Sequence, residues 1–549
     1  MATTSWLLDK ATLTMPAHLL QSWPAPSTVP GMATGASNRR GVWLFPLVVL
    51  GGAALAWFLL LALADYLFSF RAGGGETFWS VVSSYSSEEI RDALGNLPEV
   101  VVAILGIAIT MVSFILQLAA TRYTPRVTDM FFKDRANSVV MAFFVVASVH
   151  CVWVTLMVRK TFIPHLLVCS TMAMMTIAIL ILIPYFSYVF AFLAPSRIVA
   201  RLQQQSLAEA IGRGHAEGNE PRQERVLEGV EQLADVAVNS ISQKDRIIAS
   251  RSVDALKDLT IRYLEEKSRL HPSWFVIGDM LRRNPDFVSM APASVEALSQ
   301  SATWVEWKVL RQYQTIYNES VNRMRDISQL VAINTRYIGM KALAVEERKV
   351  LGLTVKFFNT FLRATLNLRD VRTAYNVLHQ YRLLVEDVLR KGWNELVVEV
   401  ATHFKYYGQL ANQVGLAFVT ETAAYDLCTL CELAHEERFA LERDLLGIFL
   451  EVDKVPENEA QEQSLRGVRK AQVKLATYYL MRREEDLARV VWRDMEHERP
   501  ERLQSIREEM LAVTDKDFWE VIDRGHNFDY LDEERRQQLE VFYSWFGAT

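Results

Sequence analysis

At 549 residues, with 64 acidic against 59 basic side chains and a formal net charge of −5, the chain lacks the basic excess that neutralises nucleic-acid phosphates. Its four cysteines exclude a disulfide-stapled secreted protein and point to a reducing compartment for the water-exposed part. Mean hydropathy of +0.08 averages a very apolar first third with a strongly charged remainder.

Residues 1–40, with Pro24, Pro26 and Pro30 among Ser, Thr and Gly, read as a disordered tail. A transmembrane domain is expected over 41–200. Four runs in it, 42–68, 98–120, 138–158 and 163–194, each approach or exceed the roughly 20 apolar residues a helix needs to cross a bilayer. They are expected to be helices, because a lone strand leaves its backbone groups unsatisfied in lipid. The first run is longer than the apolar core of about 7–15 residues typical of a cleavable signal, so it reads as an uncleaved anchor. Pro184 is expected to kink the fourth run and Pro195 to end it.

Basic residues orient the domain. Arg39 and Arg40 precede the first run, Arg122, Arg126, Lys133 and Arg135 fill the second connection, and Arg197 and Arg201 follow the fourth run. The first connection is predominantly acidic, while Arg159-Lys160 in the third dissents. The balance places both termini on the cytoplasmic side of the membrane.

The runs hold few ionisable groups, which disfavours a pump or transporter. Asp65 lies near one end of the first and His150 inside the third. On the second, Thr110, Ser113, Gln117 and Thr121 recur at spacings of three and four and share a face. That face either packs against neighbouring helices or lines a pore in a homo-oligomer. His150 reads as an interhelical hydrogen-bonding residue rather than a proton relay.

The run from Ser113 through Gln117 and Arg122 to Pro125-Arg126, then Lys133-Asp134-Arg135-Ala136-Asn137, Phe143-Phe144 and Phe162-Ile163-Pro164-His165, resembles the bacterial predicted-membrane-protein group known as domain-of-unknown-function family 2254. The similarity continues through Gly229, Gln232, Leu233, Asp235 and Ala237 to Asp245, Asp254 and Leu256. The chain departs at Gln243-Lys244-Asp245, where the family has a longer Pro-Gly-Ile-Asn-Asp turn. The resemblance covers about residues 40–260. It implies a bacterial inner-membrane location and no particular reaction.

Within these motifs, Pro125 would end the second helix and Pro164 would sit harmlessly in the first turn of the fourth. Arg122, Arg126, Lys133 and Arg135 are placed to contact anionic lipid headgroups, each worth about 1 kcal/mol.

Beyond the membrane domain a linker helix is expected over 201–222, a cytoplasmic helical domain over 223–452 and a C-terminal helical segment over 453–549, divided by the acidic stretch Val452–Gln463. Val226, Val230, Leu233, Ala237 and Ile241 line one helix face; Val371, Ala374, Leu378, Tyr381, Val385 and Val388 line another. No fixed repeat period is legible, so the expectation is an irregular helical array and an all-α fold. Trp304 and Trp307 share a face as core anchors, and Thr514–Asp517 reads as a helix N-cap.

Cys428, Cys431 and His435 fall at i, i+3 and i+7 of one helix, but without a second ligand pair they read as core residues rather than a zinc site. No phosphate loop, zinc-protease or nucleophile-elbow motif occurs. Neither catalytic residues nor a cofactor are therefore expected. The expected activity is non-enzymatic: a membrane tether or sensor that engages the bilayer and a protein partner. The alternative is an oligomeric channel lined by the second helix and gated by the soluble domain.

Overall fold

The structure is a computed structural model, and it describes residues 86–122, 126–159, 165–212, 219–453, 459–518, 524–525 and 527–547, together with Ala56 and Leu63. Apart from Ala56 and Leu63 the first apolar run, with Asp65, lies outside the described residues, as do Pro125 and Pro164. The chain divides into two compact units, one holding the residues up to Met111 with Arg135–Val189, the other Val112–Asp134 with Phe190 onward.

In the first unit, α1 (Ser87–Gly95) starts from a capping box: Ser86 Oγ accepts from the Glu89 N–H at 3.3 Å, and Glu89 Oε2 accepts from the Ser86 N–H at 2.8 Å. Its Ile90 and Leu94 pack against Val154 and Val158. The long helices are α2 (Leu97–Arg122), of which the part from Val112 belongs to the second unit, α4 (Arg135–Met157) and α5 (His165–Phe192), of which the part from Phe190 does; they run close to three of the expected spans. The segments Glu88–Thr121, Arg135–Met157 and Leu166–Phe192 are long and apolar enough to cross a membrane. Helix α4 buries Asn137, Val140, Phe144, Ala147, Cys151 and Val154, a stripe at spacings of three and four. Its other faces leave large apolar side chains bare, Val139 and Leu156 among them, as suits a lipid environment better than water. Helix α5 runs continuously through Pro184.

The second unit contains the short α3 (Arg126–Phe132), whose Phe131 ring meets Phe192 edge-on at 5.3 Å. Helix α5 ends at Phe192, three residues ahead of Pro195, with Ala194 extended (ψ 124°) as a following proline favours; Pro195 is itself the first residue of α6 (Pro195–Ile211), where its missing N–H costs no helical bond. Then come α7 (Glu220–Ser242) and α8 (Arg246–Glu266), and the short α9 (Asp279–Arg282), α10 (Pro285–Val288) and α11 (Pro292–Gln300). The long helices resume with α12 (Trp304–Ser320), α13 (Arg325–Ala344), α14 (Arg348–Asn367), α15 (Val371–Arg390), α16 (Asn394–Gln413), α17 (Ala417–Glu436) and α18 (Glu442–Leu450). After them lie α19 (Glu459–Met481), α20 (Glu485–Met495), α21 (Pro500–Ala512) and α22 (Glu533–Ser544).

The array is more regular than the sequence suggests. Helices α13 to α17 are each 20 residues long and start at 325, 348, 371, 394 and 417, a constant step of 23. Each of the four gaps is a three-residue connector whose middle residue adopts positive φ: Glu346 (60°), Arg369 (54°), Gly392 (79°) and Gly415 (74°). Arg438 (53°) repeats the geometry after α17. In every case the residue after it donates its N–H five residues back, as Leu416 does to Ala411 O at 2.8 Å and Asp370 to Thr365 O at 3.2 Å. These are Schellman caps, which satisfy the last carbonyls of one helix while reversing the chain into the next.

Helices consequently pack both on their neighbours in sequence and on the helix two along. One row runs α7, α12, α14, α16, α18 and the other α8, α13, α15, α17, α19. Packed rows of this kind form a solenoid. The faces anticipated from periodicity are its core: Val230, Leu233 and Ala237 on α7, Leu378, Tyr381 and Val385 on α15. Trp304 is fully buried, and Trp307 is partly covered by Phe287 at 4.9 Å between ring centroids. The acidic break near 452 interrupts the helices but not the packing, because α19 lies along α17. Over Thr514–Asp517 Asp515 Oδ1 accepts from the Asp517 N–H at 3.0 Å, and residues 519–523, into which the expected helix would run, lie outside the described residues.

Candidate functional site

Two features qualify as sites. The first is the polar face of α2. At about 100° per residue, Thr110, Ser113, Gln117 and Thr121 share one side of the helix with Gly106. Buried Val101, Ala108, Val112, Leu116 and Ala119 share the opposite side. The four polar side chains are exposed, so the described helices supply no packing partner for this face. Thr110 returns its hydroxyl to Gly106 O at 2.8 Å and Thr121 to Gln117 O at 3.0 Å. Ser113 and Gln117 make no side-chain hydrogen bond among the described residues.

Of the four cations from the end of α2 to the start of α4, Lys133 and Arg135 are exposed on either side of Asp134. Arg122 ends α2 and Arg126 opens α3, but their side chains lie outside the described part. His150 does what a packed interhelical residue does: its Nε2 lies 2.9 Å from Ser170 Oγ across α4 and α5. A second bridge between those helices, Tyr185 Oη donating to Asn137 Oδ1 at 2.8 Å, is fully buried.

The second feature was not legible in the sequence. An open groove of about 1390 Å³ runs along the outer side of one solenoid row, bordered by α11, α12, α14 and the start of α16. Trp307, Leu353, Trp393 and Leu396 provide apolar surface, and Arg348, Lys349 and Lys356 provide charge. The Arg348 guanidinium stacks over the Trp393 ring at 4.6 Å, a cation–π contact that holds both groups at the rim. The residues arrive from segments up to a hundred positions apart, which is why no local motif announces them.

Buried charge elsewhere in this unit serves the fold. Lys308 is enclosed by Glu231 at 2.6 Å and by Asp286, with Asn284 Oδ1 at 3.1 Å. Lys267 bridges Glu306 at 2.8 Å and Glu347 at 3.2 Å. Burial pushes the Glu421 carboxyl up to about 7, helped by Asp529 and only partly opposed by Lys470. Cys428 and Cys431 are core residues as expected, and burial drives both thiols well above their ordinary range. His435 turns instead to Glu442, with Nδ1 2.9 Å from Oε1. Among the described residues no group of three His, Cys, Asp or Glu side chains is placed to hold a metal ion.

No curated protein and no solved structure matches the chain. The groove lies wholly outside the segment that matches a family model. Residues 39–263, from ahead of the first apolar run to near the end of α8, match the family described as predicted membrane protein (DUF2254), as the motifs around Pro125, Arg135 and Gly229 imply.

Proposed function

We propose that this chain is a non-enzymatic tether of the bacterial inner membrane whose apolar helices hold a helical-repeat module on the cytoplasmic side, where it binds a protein partner. The two-row array with its constant 23-residue step carries this reading. Solenoids expose long continuous surfaces and are used mainly to hold other chains. Topology follows from the basic residues at Arg39, Arg40, Arg122, Arg126, Lys133 and Arg135. These same cations would anchor the cytoplasmic face to anionic headgroups. Reporter fusions to the last residue test the topology: activity only of a cytoplasmic reporter is expected, and export of the C-terminus refutes it. Crosslinking in intact cells followed by purification of the full chain tests the tether, and recovery of the chain alone at every crosslinker length refutes it.

A second reading is an oligomeric channel, favoured by the outward polar face of α2. Ser113 and Gln117 in an apolar helix would find partners most readily on copies of themselves. Planar-bilayer currents that disappear on Gln117→Leu support this reading over the tether; silent bilayers count against it.

A further inference from the structure

The groove on α14 carries a more specific expectation, which rests on the reading of the soluble unit as an interaction module. Helix α14 turns Lys349, Gly352, Leu353 and Lys356 toward it, at i, i+3, i+4 and i+7. Lys349 and Lys356 are exposed and form no ion pair among the described residues, and Arg348 meets Trp393 rather than a carboxylate. On the groove's far side Glu395 and Glu399 offset part of this charge, leaving the excess concentrated along α14.

Gly352 supplies an independent observation. It lies mid-helix, where glycine costs about 1 kcal/mol relative to alanine. A Cβ built there meets nothing within 4 Å, so no packing inside the chain demands its absence. A bare backbone facing a groove is what a closely approaching second backbone requires.

Size narrows the ligand. Small-molecule pockets enclose about 300–1,000 Å³, whereas this groove is larger. It crosses α12, α14 and α16, and packed helices stand about 8–10 Å apart, so it extends about 20 Å. That is close to four turns of helix at about 5.4 Å each. A single phosphate or headgroup would use only one end of it.

We propose that this groove receives an acidic amphipathic segment of a partner protein. Its apolar side chains pack between Trp307, Trp393 and Leu396, its carboxylates pair with Lys349 and Lys356, and its backbone lies over Gly352. The charge pairs give orientation and rate, and the aromatic rim gives affinity.

The test uses the full chain in detergent and a fluorescein-labelled synthetic peptide of about 16 residues, long enough as a helix to span the groove, with Leu and Glu at amphipathic spacing. Saturable anisotropy is expected. Binding should weaken about tenfold or more in the Lys349→Glu/Lys356→Glu double variant, equivalent to about 1.4 kcal/mol, and similarly in Gly352→Leu, which fills the notch. Circular dichroism establishes that both variants fold. Equal binding of a peptide with Gln in place of Glu, or unchanged binding by both variants, overturns the proposal. So does direct binding of short-chain phosphatidylglycerol, dependent on Lys349 and Lys356, when the peptide itself does not bind; that result assigns the groove to lipid. A partner crosslinked equally to wild type and double variant refutes the groove while leaving the tether reading intact. Absence of any partner refutes the tether.

Discussion

The turns between the solenoid helices place non-glycine residues, Glu346, Arg369 and Arg438 among them, where glycine is the natural occupant, and this predicts that the protein can be stabilised at its own connectors. Arg369 and Arg438 adopt φ of 54° and 53°, are exposed, and make no side-chain hydrogen bond or ion pair among the described residues that a glycine would forfeit. An L-residue in the left-handed region costs about 1–2 kcal/mol; glycine avoids this but gives up about 0.5–1 kcal/mol in unfolded-chain entropy. The net expectation for Arg369→Gly or Arg438→Gly is a gain of about 0.5–1 kcal/mol each, additive because the turns are well separated. Conversely, Gly392→Ala and Gly415→Ala should each cost about 1 kcal/mol, since their φ values of 79° and 74° strain any side chain. A solenoid unfolds in parts, so a global midpoint is a blunt measure. Native-state hydrogen exchange read by mass spectrometry over residues 362–375 is more direct. A gain near 1 kcal/mol slows local exchange about fivefold in Arg369→Gly. Faster exchange in Arg369→Gly, together with no change in Gly392→Ala, would refute the assignment of these connectors as Schellman caps.

Three further outcomes follow from the packing. Lys308→Met takes from Glu231 its cation and leaves Asp286 only Arg311, at 3.3 Å, and should cost about 1–3 kcal/mol, read as a lowered unfolding temperature; a wild-type midpoint would show that Arg311 and the remaining hydrogen bonds suffice to hold the cluster. Glu421 has a folded-state pKa of about 7 against an ordinary 4.5. The unfolded chain therefore releases this proton first as pH rises, and stability falls through the window from about 4.5 to about 7. Glu421→Gln should remove that decline and unfold at higher temperature than wild type at pH 8, whereas an unchanged pH profile would locate the titration elsewhere. Ser113→Cys in a background lacking the four native cysteines tests the outward face of α2. Oxidation in native membranes should yield a dimer band if copies meet there, and a purely monomeric product rules out that contact.

Much of this molecule is written locally. The apolar runs at 98–120, 138–158 and 163–194 emerge as α2, α4 and α5 because length and hydropathy suffice to define such helices, whatever surrounds them. The apolar stripes of α7 and α15 were equally plain, since a period of 3.6 residues is read within one segment. The core placement of Cys428 and Cys431 followed from the lack of partner ligands nearby in sequence. The 23-residue step was hidden because it resides in helix length and turn geometry, not in residue identity. Glycine, the usual mark of a left-handed cap, occurs at Gly392 and Gly415, while Glu346, Arg369 and Arg438 adopt the same conformation without it. The groove depended on assembly altogether: Trp307, Lys349 and Trp393 belong to three different segments and become neighbours only when successive helices stack in rows. Local pattern determines which segments are helices and which side of each is apolar. Which exposed sides then meet to form a surface is decided by the packing of whole helices, whose energies are shared among residues far apart in the chain.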